Sequence, residues 1–216
     1  MIKFYVDSAD LDDAGLLLSS GLFAGLTTNP TLLQRAGVGN DGIADLVRRV
    51  RDAGAREIFV QAWGADSQDL VDRGRWIRSL GDDVVVKVPA TPAGLRATAR
   101  LTREDVPVLV TAVYSAVQVL PVIASGARYV APYLGRMNDA GRDGADEITT
   151  MQRVIEASGS DLHVLVASLR SAEDVVTFAR AGVTHFTISP TLWSDFVADD
   201  LTTAAVEVFE AASAAG

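Results

Sequence analysis

The stretch VVVKVP at residues 84–89 places a lysine, Lys87, inside a run of valines that ends in a proline. Such a run predicts a buried β-strand, and an ammonium group in a buried strand is costly unless the fold makes use of it. Burial also lowers the pKa of a lysine, and a neutral amine can attack a carbonyl carbon to form a Schiff base. The alternative interpretation is a lysine whose head group reaches solvent at the strand end or pairs with a buried acid.

Similar apolar, β-branched runs recur along the chain, and segments with helical patterns separate them. Thr91 before Pro92, for example, is a typical start of a helix. Strands that alternate with helices indicate parallel βαβ units, and eight such units predict a (β/α)8 TIM barrel rather than a doubly wound sheet. The predicted strands are Ile2–Val6, Ala24–Thr28, Glu57–Ala62, Asp83–Val88, Val108–Val110, Arg128–Ala131, His163–Ala167 and His185–Ile188.

The length of 216 residues predicts one catalytic barrel domain over residues 1–216, in which residues 199–216 form an additional C-terminal helical tail. Within this tail, Asp199–Ala215 is a candidate amphipathic helix that could pack on its own barrel or on a neighbour. The net charge of −9 argues against a nucleic-acid surface. We find no targeting segment and no 18-residue apolar run, so we expect a soluble, cytoplasmic protein that does not bind membranes.

Each predicted strand ends in or beside a polar residue. In a barrel the C-terminal strand ends meet at one face, and catalytic residues of this fold lie there. Each residue alone could be a helix cap or a turn residue, but eight that converge on one buried lysine predict an active site. In chain order they are Asp7, Thr27 with Thr28 and Asn29, Gln61, Lys87, Thr111, Tyr133, Ser168 and Ser189.

The residue inventory excludes several kinds of chemistry. The chain has no cysteine and only two histidines, His163 and His185, which fall early in their predicted strands and are expected to be structural. No carboxylate cluster has the spacing of metal ligands, and no glycine-rich nucleotide motif occurs, so we expect neither a metal nor a cofactor. An anionic substrate in this acidic chain would need local arginines.

Two arginines follow the sixth and seventh predicted strands, near the region where barrels commonly bind phosphate. Arg136 follows a glycine, and Arg170 lies two residues after Ser168. Guanidinium groups and a hydroxyl suit a phosphate group. The alternative is that both arginines form surface salt bridges in an acidic protein.

Five motifs together resemble the small transaldolase and fructose-6-phosphate aldolase family. They are YVD at residues 5–7, GLTTNP at 25–30, VVKVP at 85–89, TAVY at 111–114 and YVAPYLGR at 129–136. The resemblance runs in the same order from residue 1 to about residue 190. It implies a metal-independent class I aldolase of the (β/α)8 fold that acts through a lysine Schiff base. It also implies a homo-oligomer, a pentamer or a decamer.

The resemblance assigns a role to each motif residue. It implies that Lys87 attacks the C2 carbonyl of a ketose and that Asp7 handles the proton of the C4 hydroxyl. It implies further that Thr27 and Asn29 orient the dihydroxyacetone unit. Thr111 would help to hold a water molecule. The residues implied for phosphate binding are Arg136, Ser168 and Arg170.

Gln61 and Tyr133 favour one subgroup of this family. Transaldolases usually have glutamate and phenylalanine at these positions, whereas fructose-6-phosphate aldolases have glutamine and tyrosine. A tyrosine hydroxyl with a neutral amide can position a water that protonates the enamine, so that free dihydroxyacetone leaves. We therefore expect reversible cleavage of fructose 6-phosphate to dihydroxyacetone and glyceraldehyde 3-phosphate.

Three alternatives remain open. The first is a transaldolase of the pentose phosphate pathway, which transfers the dihydroxyacetone unit between sugar phosphates. The second is a non-catalytic sugar-phosphate binder. The third is a pyridoxal-phosphate carrier that uses Lys87 and the arginines, which would be a coloured protein.

Overall fold

Eight parallel strands close into a barrel in the computed structural model of the chain, which describes residues 1–214. The strands follow one another around the barrel in chain order, and the last pairs with the first. This confirms the predicted TIM-barrel fold. The strands are β1 (Lys3–Asp7), β2 (Phe23–Thr27), β3 (Glu57–Gln61), β4 (Val84–Pro89), β5 (Val108–Val113), β6 (Tyr129–Pro132), β7 (His163–Val166) and β8 (His185–Ile188).

The predicted strands agree with the observed ones to within one or two residues at most ends. β5 is the exception, because it continues past Val110 to Val113. Its pairing with β6 shifts register between these two residues, and Ala112 adopts a left-handed backbone with φ of 58°. Such an irregularity re-aims side chains at the rim of a barrel.

All the helices except the C-terminal one surround the barrel and cover the outward side chains of the strands. Each carries an apolar face, as helices packed on a parallel sheet require. Several begin with a side-chain cap; the Thr91 hydroxyl, for example, accepts a hydrogen bond from Gly94 N. The helices are α1 (Leu11–Ser19), α2 (Pro30–Arg35), α3 (Ile43–Asp52), α4 (Ser67–Arg78), α5 (Pro92–Leu101), α6 (Val119–Ala124), α7 (Leu134–Asp139), α8 (Gly144–Ser158), α9 (Ala172–Arg180) and α10 (Asp200–Ala214).

Large side chains fill the middle of the barrel interior and separate its two ends. Alternate residues of a strand point to opposite faces, so every second residue points inward. The main contributors are Tyr5, Phe59, Val85, Leu109, Tyr129 and Leu165, all fully or nearly fully buried. Each end of the interior therefore forms a separate environment.

The N-terminal end of the barrel holds a carboxylate that accepts several hydrogen bonds. Tyr5 and Tyr129 each donate a hydroxyl to Glu57 at 2.6 Å, and Lys3 Nζ lies 3.3 Å from Glu57 Oε2. The rings of His163 and His185 stack beside this group with centroids 4.7 Å apart. Both histidines thus lie at the end where the sequence placed them, away from the C-terminal strand ends.

The C-terminal helix α10 extends from the barrel without burying any residue. Its apolar side chains include Leu201, Val208 and Phe209, which are 82%, 66% and 65% exposed. The helix was predicted to reach Ala215, and residues 215–216 lie outside the described part of the chain. Across residues 1–214, the helices are too short or too polar for a membrane span.

Candidate active site

A cavity of about 100 Å³ opens at the C-terminal ends of the strands. Its apolar floor consists of Leu109, Ala131, Leu165 and Ala167. Polar side chains from six of the strands or the turns that follow them surround this floor, as expected for the catalytic face of a barrel. They are Asp7, Thr27, Asn29, Lys87, Tyr133, Arg136, Ser168 and Thr187.

Lys87 is buried in this cavity, with only 4% of its surface exposed. Its Nζ donates a hydrogen bond to the backbone carbonyl of Thr28. Burial lowers the pKa of Lys87 to about 8, although the charge of Asp7 acts in the opposite direction. About one molecule in ten would then carry a neutral amine at pH 7, against fewer than about one in a thousand for an ordinary lysine. The site therefore produces the nucleophilic form of the amine near neutral pH.

Asp7 shares the cavity and belongs to a chain of hydroxyl groups. Thr27 Oγ1 donates to Asp7 Oδ1 at 2.8 Å, and Thr27 Oγ1 lies 2.6 Å from Thr187 Oγ1. Because the Thr27 hydrogen goes to Asp7, Thr187 is the donor in the second bond. Burial raises the pKa of Asp7, against the lowering effects of Lys87 and Thr27. A carboxyl group in this state can accept and return a proton.

Thr187 is a site residue that the sequence analysis missed. That analysis placed Ser189 at the end of strand eight, whereas Ser189 bonds Thr191 and lies outside the cavity lining. One indication of this role was visible in the sequence, because Thr187 carries a hydroxyl between two apolar residues, Phe186 and Ile188. Its inward orientation depends on strand register, which the sequence does not show.

Asn29 serves both as a helix cap and as a cavity residue. Its Oδ1 accepts hydrogen bonds from the backbone amides of Thr31 and Leu32 at 3.0 Å, which caps α2. The cap uses the oxygen, so the group that Asn29 can offer to a ligand is its Nδ2 amide. The cap thus fixes the orientation of a potential hydrogen-bond donor.

Tyr133 connects the floor of the cavity to its mouth. Its hydroxyl lies 2.8 Å from Thr111 Oγ1, and the Arg136 guanidinium lies 4.9 Å from the centre of its ring. Burial raises the pKa of Tyr133, so the phenol keeps its proton. The stacked guanidinium holds a positive charge at the cavity mouth, where an anionic group could bind.

Ser168 adopts a left-handed backbone, with φ of 60°, at the end of β7. The start of α7 passes very close to it, and Gly135 N donates to Ser168 O at 2.9 Å. A β-carbon at Gly135 would lie 2.7 Å from both Ser168 O and Arg170 Nε. A glycine at this position therefore lets Arg136 and Ser168 approach the same cavity.

Three of the predicted site residues, Arg170, Gln61 and Thr111, do not line the cavity. Arg170 forms a two-point ion pair with Asp139 at the surface, with Nη1 2.9 Å from Oδ1. This matches the salt-bridge alternative, and a phosphate role for Arg170 stays a prediction. Gln61 lines a neighbouring groove instead, so its joint action with Tyr133 on a water also stays a prediction. Thr111 reaches the site only through Tyr133.

Among residues 1–214, no group of three or more histidine, cysteine, aspartate or glutamate side chains is arranged to hold a metal ion. The carboxylate of Asp7 instead accepts a hydrogen bond from the Thr27 hydroxyl and shares the cavity with the amine of Lys87.

The sequence of the chain is similar to a protein family and to several named proteins. A family model described as transaldolase/fructose-6-phosphate aldolase matches residues 4–216. A protein of Nitrosopumilus maritimus named "Probable transaldolase" is 33% identical over 210 residues, which cover 96% of this chain and 93% of that protein. A "Probable transaldolase" of Rhodospirillum centenum is 33% identical over 211 residues, 97% of this chain and 90% of that protein.

Solved structures show a similar fold at low sequence identity. A mandelate oxidase mutant superposes with a TM-score of 0.59 at 16% identity, covering 87% of this chain and 64% of that one. A flavocytochrome b2 variant gives the same TM-score and identity and covers 56% of the solved chain. At this identity, the likeness supports the barrel fold alone.

Proposed function

The chain belongs to the transaldolase and fructose-6-phosphate aldolase family, and we propose that it is a transaldolase that moves a dihydroxyacetone unit between sugar phosphates. The main support is the buried Lys87, whose amine shares a cavity of about 100 Å³ with Asp7. This choice revises the aldolase preference drawn from Gln61 and Tyr133, because similar relatives are named as transaldolases.

In the proposed reaction, the neutral amine of Lys87 attacks the C2 carbonyl of a ketose phosphate. Loss of water gives a protonated imine, which accepts the electron pair of the C3–C4 bond when that bond breaks. Asp7 takes the proton of the C4 hydroxyl, and the first aldehyde leaves. The resulting enamine attacks the carbonyl carbon of an acceptor aldose, and Asp7 returns the proton to the new hydroxyl. Hydrolysis of the imine frees Lys87.

Other cavity residues have supporting roles in this proposal. Thr27, held between Asp7 and Thr187, orients the carboxyl group, and the Nδ2 amide of Asn29 contacts a substrate hydroxyl. Arg136 and Ser168 bind the phosphate at the cavity mouth. The hydroxyl pair of Thr111 and Tyr133 handles the water that is lost and regained during imine chemistry.

An aldolase that releases free dihydroxyacetone is the second candidate. The observation that favours it is the buried Tyr133 hydroxyl, 2.8 Å from Thr111, which could help to deliver a proton to the enamine. Against it, Gln61 does not line the cavity with Tyr133 but lines a neighbouring groove. The enamine would then be protonated slowly and would persist until an acceptor arrives.

The two candidates differ in their need for an acceptor. Fructose 6-phosphate should be incubated with the enzyme, and glyceraldehyde 3-phosphate release measured with and without erythrose 4-phosphate. We expect the acceptor to raise the steady-state rate by at least about tenfold, a difference of about 1.4 kcal/mol in barrier. Equal rates in both assays, with stoichiometric free dihydroxyacetone, would identify the aldolase instead.

We also propose that the protein is a homo-oligomer, as the family resemblance implies. Apolar side chains of α10, such as Leu201 and Val208, support this because they stay mostly exposed in the described chain. Light scattering should give a mass several times that of one chain, and removal of residues 200–216 should reduce it. A monomeric mass for the full-length protein would contradict this proposal.

A further inference from the structure

Three side chains from adjacent strands form a hydrogen-bonded row inside the barrel. Thr187 belongs to β8, Asp7 to β1 and Thr27 to β2, and β1 lies between the other two strands in the barrel wall. Thr187 and Thr27 are 3% and 1% exposed, and their hydroxyl oxygens lie 2.6 Å apart. This bond joins two strands that do not pair with each other, so both hydroxyl groups must point into the barrel interior.

The hydrogens of this row have one favourable arrangement. A hydroxyl group carries a single hydrogen, and Thr27 donates its own to Asp7 Oδ1 at 2.8 Å, so Thr187 donates to Thr27. Among residues 1–214, Thr27 is the one hydrogen-bond partner of the Thr187 hydroxyl. Reversal of the row would therefore leave the Thr187 hydrogen without an acceptor in a buried position, which costs free energy.

The two carboxyl oxygens of Asp7 are consequently not equivalent. Oδ1 accepts the Thr27 hydrogen, while Oδ2 accepts no hydrogen bond within residues 1–214. In that part of the chain every fully buried side-chain nitrogen or oxygen atom has a partner, so Oδ2 is open to the cavity that Asp7 lines. A proton on Oδ1 would force the row to reverse, whereas a proton on Oδ2 leaves the row intact. Oδ2 is thus the oxygen suited to exchange a proton with a ligand.

We propose that Thr187 is a positioning residue, which acts through Thr27 to keep Asp7 Oδ1 hydrogen-bonded and so confines proton exchange to Oδ2. The inference rests on the proposed transfer reaction and assigns its proton to one atom. When the C3–C4 bond breaks, the proton of the C4 hydroxyl passes to Oδ2 and the electron pair of the bond moves toward the imine nitrogen. When the enamine attacks the acceptor, Oδ2 returns that proton to the new hydroxyl. Thr187 takes part in neither proton transfer.

Removal of the Thr187 hydroxyl tests this role kinetically. Thr187→Val keeps the shape of the side chain but leaves Thr27 without a donor, and a row of hydrogen bonds weakens when one member is lost. The variant should lower kcat for transfer from fructose 6-phosphate to erythrose 4-phosphate by about threefold to tenfold. KM should change by less than about twofold, because the phosphate and hydroxyl contacts of the substrate stay in place. Thr187→Ser should restore most of the lost kcat.

The pH dependence of kcat separates this role from a purely structural one. The Thr27 hydrogen bond lowers the pKa of Asp7, against the effect of burial. Because Thr187→Val weakens that bond, the fall of kcat in acid should begin at a higher pH in the variant. Three other titratable groups face Asp7 and remain in the variant, namely Lys87, Arg136 and Tyr133. A native kcat, or an acid limb that stays in place, would overturn the proposal.

Two further variants show whether the effect passes through Thr27. In a Thr27→Val background, adding Thr187→Val should change kcat by less than about twofold, since the residue through which it acts is already lost. A repeat of the full loss in that background would contradict the proposal. Thr98→Val is the matched control, because Thr98 is a fully buried threonine of α5 whose hydroxyl donates to Gly94 O and does not line the cavity. It should keep the native kcat and pH profile.

Neutron diffraction tests the hydrogen positions without reference to the reaction. Crystals in deuterated buffer, acidic enough to protonate Asp7, should show the Thr187 deuterium directed at Thr27 and the Thr27 deuterium directed at Oδ1. The carboxyl deuterium should lie on Oδ2. A deuterium on Oδ1 would overturn the inference even in a protein that transfers dihydroxyacetone units. A native protein without transfer activity would instead refute the proposed function, and the deuterium positions would still decide which oxygen carries the proton.

Discussion

The two ends of the barrel interior treat their buried charged groups differently. At the N-terminal end, Glu57 accepts hydrogen bonds from Tyr5 and Tyr129 and lies beside Lys3. At the C-terminal end, Lys87 and Asp7 share a small cavity. Burial would raise the pKa of Glu57, but these hydrogen bonds and the positive charge of Lys3 hold it below its usual value. Burial prevails for the other pair, since it raises the pKa of Asp7 and lowers that of Lys87 to about 8.

The difference shows how one barrel separates stability from reactivity. Donors arranged around Glu57 satisfy its charge, and a satisfied charge has little tendency to exchange protons. Lys87 has a backbone carbonyl as its hydrogen-bond partner, and that acceptor carries no full charge. Its charged form is therefore poorly compensated, and the neutral, nucleophilic form becomes accessible.

The largest expected effect is the loss of Lys87. Lys87→Met should reduce sugar cleavage or transfer by at least about a thousandfold, because no other amine reaches the cavity. The melting temperature should stay the same or rise, since the substitution removes a poorly compensated buried amine.

Lys3→Met is the matched control for this variant. It removes the only other lysine, which pairs with Glu57 at the opposite end. It should keep full activity and lose at most about 1 kcal/mol of stability, because Lys3 is partly exposed. An active Lys87→Met protein, or an inactive Lys3→Met protein, would contradict the assignment of the reactive amine to Lys87 at the C-terminal end of the barrel.

The second prediction concerns acid stability at the N-terminal end. His185 is 5% exposed, and burial, with a smaller contribution from His163, lowers its pKa to about 4. Unfolded His185 binds a proton below about pH 6.5, while the folded form stays neutral down to about pH 4. The free energy of unfolding should therefore fall between these pH values, by about 3 kcal/mol in total.

Replacement of His185 should make the protein less sensitive to acid. Other charges face this ring, namely His163, Lys3, Glu57 and the amino terminus, and they remain in the His185→Phe variant. Urea unfolding of both proteins at pH 8 and pH 4.5 should show a smaller pH-dependent loss in the variant. Equal losses in the two proteins would mean that His185 does not control acid stability.

The smallest of the expected effects concerns the cavity mouth. Arg136→Ala should raise the KM for phosphorylated substrates by about tenfold to a hundredfold, the loss expected for one charge-assisted contact. The KM for unphosphorylated substrates should change little. Steady-state kinetics with glyceraldehyde and glyceraldehyde 3-phosphate as acceptors provide the measurement. Equal losses for both acceptors would rule out a role in phosphate binding.

The sequence was sufficient for the fold and for much of the cavity. Alternation of apolar runs with helical segments is a local signal, so the eight strands and the convergence of their C-terminal ends followed from it. Asp7, Lys87 and Tyr133 were found because polar residues beside buried strand ends are conspicuous. The N-terminal position of both histidines followed in the same way.

Features that depend on side-chain direction or distant pairing were not predictable. Thr187 was missed because the sequence of β8 does not show which of its residues point inward. The ion pair between Arg170 and Asp139 joins positions 31 residues apart, and only the close approach of α7 to the end of β7 brings them together. The position of Gln61 in the neighbouring groove, rather than in the cavity, likewise depends on tertiary structure.

The most direct test of the central claim is reductive trapping of the amine at the C-terminal end. The native protein should be incubated with dihydroxyacetone and borohydride between pH 6 and pH 9, then digested and analysed by mass spectrometry. We predict one dihydroxyacetone adduct per chain, located on Lys87. Its rate of formation should increase with pH and level off above about pH 8, the pKa to which burial lowers this amine. An adduct on Lys3, or no adduct at any pH, would contradict the account.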